Sequence, residues 1–177
     1  MDRKRLTELF EAREQGNVAF LLDGLRDPAH RAVAIAHLGE LRPEAAIQPL
    51  IPLLRAGDRA TRSGAAEVLG KLGAREAVPA LLDLASDDRD VVPRTYAITA
   101  LGALGDLRAV LPLCELLGDE SIVVRQSAAR ALGVLGDPRA IEPLGNFAKR
   151  ERWYSRGIHK RSIRMIRAAG SQDRHGR

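Results

Sequence analysis

One pattern recurs four times along the chain, with spacings of 31, 32 and 31 residues. Each copy places a Leu-Gly pair seven residues after an arginine, and these arginines are Arg31, Arg62, Arg94 and Arg125. The pairs themselves are Leu38-Gly39, Leu69-Gly70, Leu101-Gly102 and Leu132-Gly133. A fixed period of about 20 to 50 residues indicates a stacked repeat array. Such an array presents an extended surface rather than an enclosed pocket, which favours binding as its function.

The spacing inside one copy predicts a pair of helices. In the fourth copy, apolar residues recur at steps of one, three and four, which place them on one helical face. These residues are Val124, Ala128, Ala129, Leu132 and Leu135. A turn follows in which Gly136 can end the first helix, while Asp137 and Pro138 suit the start of the second. We therefore expect two helices of about 12 residues, each about 18 Å long, in every repeat.

A small residue occupies the same position in all four copies, three residues after the recurring arginine. These residues are Ala34, Ala65, Ala97 and Ala128. Small side chains let neighbouring helices approach closely, while the leucines supply most of the apolar area that the stack buries. A single helix pair cannot bury its apolar face, so the repeats depend on one another for stability.

The pattern resembles the HEAT repeat and is most similar to the short bacterial subclass first recognised in phycobilin lyases. The matching elements are D-x-x-x-R, A-A, L-G, L-G-D and A-[IV]-x-P-L, over about residues 27–149. The resemblance implies an all-α, right-handed solenoid whose second helices line the concave face. It also implies an inter-repeat ladder between the arginines and Asp27, Asp58 and Asp90, which can also cap the first helices. Since one fold hosts many functions, the resemblance constrains function much less.

Two copies depart from this pattern. Arg42-Pro43 stands in the first copy where the others have Gly73, Gly105 and Gly136. Ser121 replaces the aspartate in the fourth.

Helices are also predicted at both ends of the chain. Residues 2–14 and 18–25 form a degenerate pair with a charged outer face, as a terminal cap of a solenoid requires. A last helix is expected near residues 154–169. Two alignments of this helix with the repeats are possible. In one, Arg156 and Ile163 take the places of the recurring arginine and the leucine seven residues after it. In the other, a gap of three residues shifts the alignment.

We interpret residues 1–170 as a single HEAT-repeat domain. It comprises an N-terminal capping pair at 1–26, four regular repeats at 27–149 and a basic C-terminal half-repeat at 150–170. A flexible tail at 171–177 follows.

Positive charge is concentrated in the last 29 residues. Residues 149–177 contain ten Lys and Arg against two acidic residues, a net charge of +8, whereas residues 1–148 have a net charge of −3. Aromatic residues make up only 3% of the chain, which disfavours recognition of nucleic acids or sugars by stacking. No signal peptide and no apolar stretch long enough for a membrane span is evident. With a single cysteine and hence no internal disulfide, the chain is expected to be cytoplasmic and not bound to membranes.

Residues that carry chemistry are few. Cys114 falls in a core-facing column of the repeats, which predicts a small buried side chain rather than a nucleophile. The four histidines are His30, His37, His159 and His175, and none is followed by glutamate. The HEAT-repeat enzyme deoxyhypusine hydroxylase binds iron through His-Glu pairs, which are absent here. We predict no catalytic residue, no metal and no cofactor.

Two surfaces are candidates for binding. The exposed positions of the predicted second helices form a mixed polar surface: Gln48, Arg55, Asp83, Glu115, Glu142 and Asn146. The basic end joins two aromatic residues to a run of positive charge that can bind an anion or a partner. Its members are Arg152, Trp153, Tyr154, Arg156, Lys160, Arg161 and Arg164.

The sequence favours a non-enzymatic scaffold that binds a protein partner on its concave helical surface. The alternatives are a nucleic-acid-binding module that uses the basic C-terminal helix, and a bilin-lyase-like subunit.

Overall fold

The computed structural model describes residues 3–150 and 156–172. These residues form helices joined by short turns, with no strand among them, so the predicted all-α fold is confirmed. None of the helices in this part of the chain has the length and apolar character needed to cross a bilayer. The first helices of the successive repeats are α3 (Arg31–Leu41), α5 (Arg59–Lys71), α7 (Val91–Leu104), α9 (Ile122–Leu135) and α11 (Arg156–Gln172).

The second helices are shorter and alternate with the first. They are α4 (Ile47–Leu50), α6 (Val78–Asp87), α8 (Val110–Glu115) and α10 (Ile141–Arg150). The expected length of about 12 residues is too long for α4, which spans 4 residues and continues as a 3-10 segment at Ile51–Arg55. Pro52 has no N–H to donate to the carbonyl of Gln48, so the α-helical hydrogen-bond pattern stops there.

Two helices precede the first repeat, close to their predicted bounds. They are α1 (Arg3–Glu14) and α2 (Val18–Gly24). Gly16 adopts a φ of 64° between them, and the side chain of Asn17 accepts a hydrogen bond of 3.1 Å from the N–H of Phe20 at the start of α2. Leu9 and Leu21 are fully buried, which anchors both helices to the stack.

The turns inside the repeats need one residue with a left-handed backbone conformation, that is, with a positive φ. Gly73, Gly105 and Gly136 have φ values of 69°, 65° and 73°. Arg42 takes the same role in the first repeat with a φ of 51°. A left-handed conformation costs about 1 to 2 kcal/mol for a residue with a Cβ atom. The departure seen in the sequence is therefore accommodated with backbone strain rather than by a different turn.

Glycines set the spacing of the first helices. A Cβ atom on Gly70 would lie 2.9 Å from the Cβ of Ala100 and 3.0 Å from its Cα. Because backbone atoms cannot rotate away, a side chain at this position would push the helices apart. Equivalent contacts join Gly39 to Val68, Gly102 to Ala131, and Gly133 to Ser162.

The contact between Gly133 and Ser162 fixes the register of α11. Ser162 follows Ala131 by 31 residues and makes the contact with Gly133 that Ala131 makes with Gly102. The register in which Arg156 continues the series of arginines is therefore the one adopted. In this register His159 takes the small-residue position of the earlier repeats, where it is fully buried with its ring centroid 4.4 Å from that of Phe147.

The first helices pack against one another more extensively than the second helices do. The exposed sides of α3, α5, α7, α9 and α11 therefore lie side by side and form one surface of the stack. We call this surface the first-helix face. The expectation that the second helices line the concave side stays a prediction.

Arg62 ties two repeats together. It donates hydrogen bonds to the carbonyls of Ala56 and Gly57 in its own loop, at 2.9 and 3.1 Å. It also binds two carboxylates of the following repeat, with 2.7 Å between its Nη2 and Oδ2 of Asp90 and 3.1 Å to Oδ1 of Asp88. Burial alone would raise the pKa of Asp88, but this guanidinium and the N–H of Asp90 hold it below its ordinary value.

The ladder uses acids that the sequence analysis did not single out. Asp88 and Asp119 each precede the next arginine by six residues, and they pair with Arg62 and Arg94 respectively. Ala56 occupies this position in the second repeat, so Arg31 forms no ion pair within the described residues. Of the three expected members, only Asp90 joins the ladder, while Asp58 caps α5 through the N–H of Thr61 at 2.7 Å and Asp27 accepts from the N–H of Ala29 at 2.9 Å.

Candidate functional site

A groove of about 530 Å³ runs across the middle of the first-helix face. It lies on both sides of α7, between α5 and α9. Its lining residues are Glu67, Gly70, Lys71, Thr95, Tyr96, Thr99, Ala100, Ala103, Val123 and Ser127. A second groove of about 260 Å³ between α3 and α5 shares Glu67 and Lys71 with it. The two grooves adjoin at these residues, and together they span four of the first helices.

Exposed apolar side chains concentrate on the same face. Ten large hydrophobic residues are exposed in the described part of the chain, and six belong to α7, α9 and α11. They are Val91, Val92, Tyr96, Val123, Val134 and Met165. Contiguous exposed apolar area on a folded protein marks an interaction site, because leaving it in water is unfavourable.

These apolar side chains occur at repeating positions. Val92 and Val123 both lie two residues before an arginine of the repeat, whereas Val134 and Met165 lie nine residues after one. This face is not among the surfaces predicted from the sequence, because the resemblance points to the second helices. The signal was present: aligned copies show valines and methionine at positions that the core does not use.

Charge is distributed unevenly over the first-helix face. Glu67 pairs with Lys71 at 2.7 Å, and Glu40 pairs with Arg13 at 3.0 Å. Arg130 and Arg161 are exposed and form no ion pair within the described residues. The acidic groups at one end of the face are therefore neutralised internally, while positive charge at the other end is available.

The second-helix candidates all lie exposed on the opposite side of the stack. The structure brings together two of them, Arg55 and Asp83, whose side chains pair at 2.7 Å beside a depression of about 380 Å³. Both side chains remain more than half exposed, so the pair contributes little stability. Partner contacts at the six residues stay a prediction.

The basic end is described in part. Lys160, Arg161 and Arg164 are exposed on α11, and Arg156 begins that helix. Lys160 and Arg164 line a shallow depression of about 480 Å³ together with Ile163 and Arg167. Three further candidates lie outside the described residues: Arg152, Trp153 and Tyr154.

Two side chains that often carry chemistry lie in apolar surroundings. Cys114 is half-buried, and this burial raises the pKa of its thiol, which disfavours the nucleophilic thiolate. His37 is buried against the ring of Phe10, and burial lowers the pKa of its imidazole. No cluster of three or more metal-ligating side chains occurs within residues 3–150 and 156–172. The geometry of the described residues therefore supplies a binding surface.

Comparisons with known proteins agree with this architecture. One solved structure, the complex of CpcE and CpcF of phycocyanin lyase from Nostoc sp. PCC7120, is 26% identical with a TM-score of 0.63. The match covers 85% of this chain and 64% of that one, so this chain spans less than two thirds of its length. An engineered protein from the Northeast Structural Genomics Consortium is 20% identical with a TM-score of 0.63, covering 92% of this chain and 84% of its own, which shows the fold alone.

No curated protein sequence matches the chain. The family model for HEAT repeats matches residues 18–95 and 89–158, which together span most of the chain. Its matched region includes the four arginines and the whole groove of the first-helix face. The chain therefore belongs to the HEAT repeat family.

Proposed function

We propose that this chain is a non-enzymatic, cytoplasmic scaffold that holds a protein partner in the groove of the first-helix face. The observation that carries the proposal is the concentration of exposed apolar side chains on α7, α9 and α11. Tyr96 and Val123, which line the groove of about 530 Å³, are 39% and 51% exposed, and Val134 on the same face is 59% exposed. Burial of such side chains against a partner is favourable, at about 25 cal/mol per Å² of apolar area.

The neighbouring structure supports a protein as the ligand. The chain of phycocyanin lyase that resembles this one was solved as a complex of CpcE with CpcF. An equivalent pairing with another protein fits the extended shape of the first-helix face. The fixed, closely packed helices present this surface without rearrangement, which lowers the entropic cost of binding.

The second-helix surface is a weaker proposal for the same function. Its candidate residues, among them Gln48 and Glu142, are polar and exposed. Of the large exposed hydrophobic residues in the described chain, only Leu111 belongs to the second helices, so this surface offers less of the apolar area that supplies binding energy at protein interfaces.

Nucleic-acid binding is the second candidate, and one observation favours it. Lys160, Arg161, Arg164 and Arg167 are all exposed along α11. Such a stripe of positive charge can contact phosphates. A bilin-lyase-like role rests on the resemblance to phycocyanin lyase, and no tetrapyrrole-binding group is identified among the described side chains.

Site-specific photo-cross-linking tests the main proposal. Benzoylphenylalanine replaces Thr99 in the groove or, as the matched control, Asp83 on the second-helix face. We expect a discrete adduct with one protein from position 99, resistant to nuclease, and no such adduct from position 83. Adducts from position 83 alone would move the interface to the second helices. Adducts that disappear with nuclease would favour nucleic acid as the ligand.

A further inference from the structure

We propose that the partner segment held in the groove is apolar with acidic residues at one end, and that its carboxylates bind Arg130 and Arg161. This inference rests on the proposed function, because it names the chemistry of the partner at the same groove. It also assigns an orientation, with the acidic end of the segment over α9 and α11.

The two arginines occupy one repeating position. Arg130 and Arg161 are 31 residues apart, and each lies five residues after the arginine that marks its repeat. Because α9 and α11 pack through Gly133 and Ser162, successive members of this column lie on adjacent helices of the same face. Both side chains are exposed, and neither has an ion-pair partner in the described residues.

The acidic groups on this face already have partners. Glu67 occupies in α5 the repeat position that Arg130 occupies in α9. Its carboxylate pairs with Lys71 at 2.7 Å. Glu40 pairs with Arg13 at 3.0 Å. A ligand gains little by placing positive charge over α3 and α5, whereas over α9 and α11 it meets two guanidinium groups with no ion-pair partner in the described residues.

The apolar residues beside Arg130 and Arg161 favour a peptide over a nucleic acid as the ligand. Val134 follows Arg130 by one helical turn, and Met165 follows Arg161 in the same way; both apolar side chains are exposed. A peptide satisfies both features, because its apolar side chains cover the valine and methionine while a carboxylate binds each guanidinium in a planar, two-bond geometry. A phosphate backbone would leave the apolar surface in water. Binding of the apolar segment also excludes water from the arginines and strengthens the ion pairs.

Selection from a displayed library of random 16-residue peptides tests this inference. Wild-type protein is the bait, and the affinities of synthesised binders are then measured for three charge-reversal variants. Arg130→Glu and Arg161→Glu alter the proposed contacts, and Arg75→Glu is the matched control, since Arg75 is exposed in the segment before α6 and belongs to none of the first helices. Thermal unfolding of each variant verifies that it is folded.

We expect binders that combine aliphatic residues with Asp or Glu near one end. Arg130→Glu and Arg161→Glu should each weaken binding about tenfold or more, and Arg75→Glu should leave the affinity unchanged. Replacing the acidic residues of a peptide with lysine should restore its binding to Arg130→Glu or Arg161→Glu.

The outcomes separate the two proposals. A fourth variant, Thr99→Arg, places a long side chain in the groove. Loss of binding with Thr99→Arg, but no response to Arg130→Glu or Arg161→Glu, would overturn the acidic partner and leave the groove as the binding site. Binders that do not respond to Thr99→Arg would overturn both. Tight binding of a duplex DNA probe that depends on Arg130 would contradict the choice of a peptide.

Discussion

Arg164 occupies in α11 the register position that Gly133 occupies in α9, 31 residues earlier. At Gly133 a Cβ atom would lie 2.8 Å from the Cβ of Ser162, so the close packing of α11 on α9 depends on a missing side chain. A further first helix therefore cannot approach α11 as closely as α11 approaches α9. Lys160, which takes a position that is buried in the earlier repeats, adds charge to the same surface. The outer surface of α11 thus differs from that of the earlier first helices in carrying charged side chains at the positions used for close packing.

The glycine spacing can be tested with two substitutions to alanine. In Gly70→Ala the new methyl group meets the backbone of Ala100. We therefore expect the free energy of unfolding to fall by about 1 to 3 kcal/mol. Gly145 lies inside α10, where a Cβ atom would have no heavy atom within 4 Å. Gly145→Ala should raise stability by about 0.5 to 1 kcal/mol, because alanine favours helix. Chemical denaturation of both variants decides, and equal effects would refute the close-contact explanation.

The ladder between repeats predicts strong coupling between Arg62 and Asp88. Their side chains are 8% and 4% exposed, so removing one leaves the other buried without its partner. Arg62→Met should cost about 3 to 5 kcal/mol of unfolding free energy. The double variant with Asp88→Leu should cost less than the sum of the two single variants, by about 0.5 to 3 kcal/mol. Additive costs in urea denaturation would show that the two side chains act independently.

Much of the fold follows from the period, because helices and turns depend on local spacing. The Leu-Gly pairs and Gly-Asp turns place α5, α7 and α9 within a few residues, and the same spacing gives α11 its register. The short α4 was not expected, although Pro52 explains it. The ladder acids Asp88 and Asp119 were missed, because a side-chain contact between repeats depends on loop geometry that spacing does not specify.

The candidate site was harder to predict. The family resemblance placed the concave side on the second helices, so Gln48 and Glu142 were chosen from it. The close contact of Gly70 with Ala100 brings the first helices together, so their exposed sides form a surface that the resemblance did not point to. Once that is known, Tyr96 and Val123 stand out in the aligned copies as apolar residues that no core contact explains.

Stability should depend on pH through His37. Neither ring nitrogen of this buried side chain has a hydrogen-bond partner, and burial lowers its pKa below the ordinary 6.5 while Glu40 raises it and Arg13 lowers it. The unfolded state therefore binds a proton first as pH falls, so the contribution of His37 to stability is present above about pH 6.5 and is lost below it. His37→Val, which copies Val68 of the next repeat, should remove this part of the decline.

Unfolding free energies between pH 7.5 and 5 check this prediction. The difference between wild type and His37→Val should change over that range, whereas carboxylates such as Asp106, with a pKa of about 2, titrate well below it. Parallel curves for the two proteins would show that His37 does not titrate with folding.

Duplex DNA should bind weakly if the basic residues of α11 serve as an end surface. We expect micromolar or poorer dissociation constants at physiological salt, typical of nonspecific contacts. Each neutralised phosphate contributes a log–log salt slope of about −0.9, so Arg161→Ala with Arg164→Ala would reduce the slope by about two units if both made contacts. Fluorescence anisotropy at two salt concentrations measures this. Submicromolar binding at physiological salt that the double substitution abolishes would make nucleic acid the main ligand.

The claim that the first-helix face holds the partner is tested most directly by affinity. The partner recovered by cross-linking is titrated against wild type, Thr99→Arg and Gln48→Arg in biolayer interferometry. Both substituted residues are exposed, so each variant should fold as wild type does. We predict that Thr99→Arg, whose side chain fills the groove, weakens binding at least tenfold while Gln48→Arg leaves it unchanged. Wild-type affinity in Thr99→Arg together with lost affinity in Gln48→Arg would contradict the account.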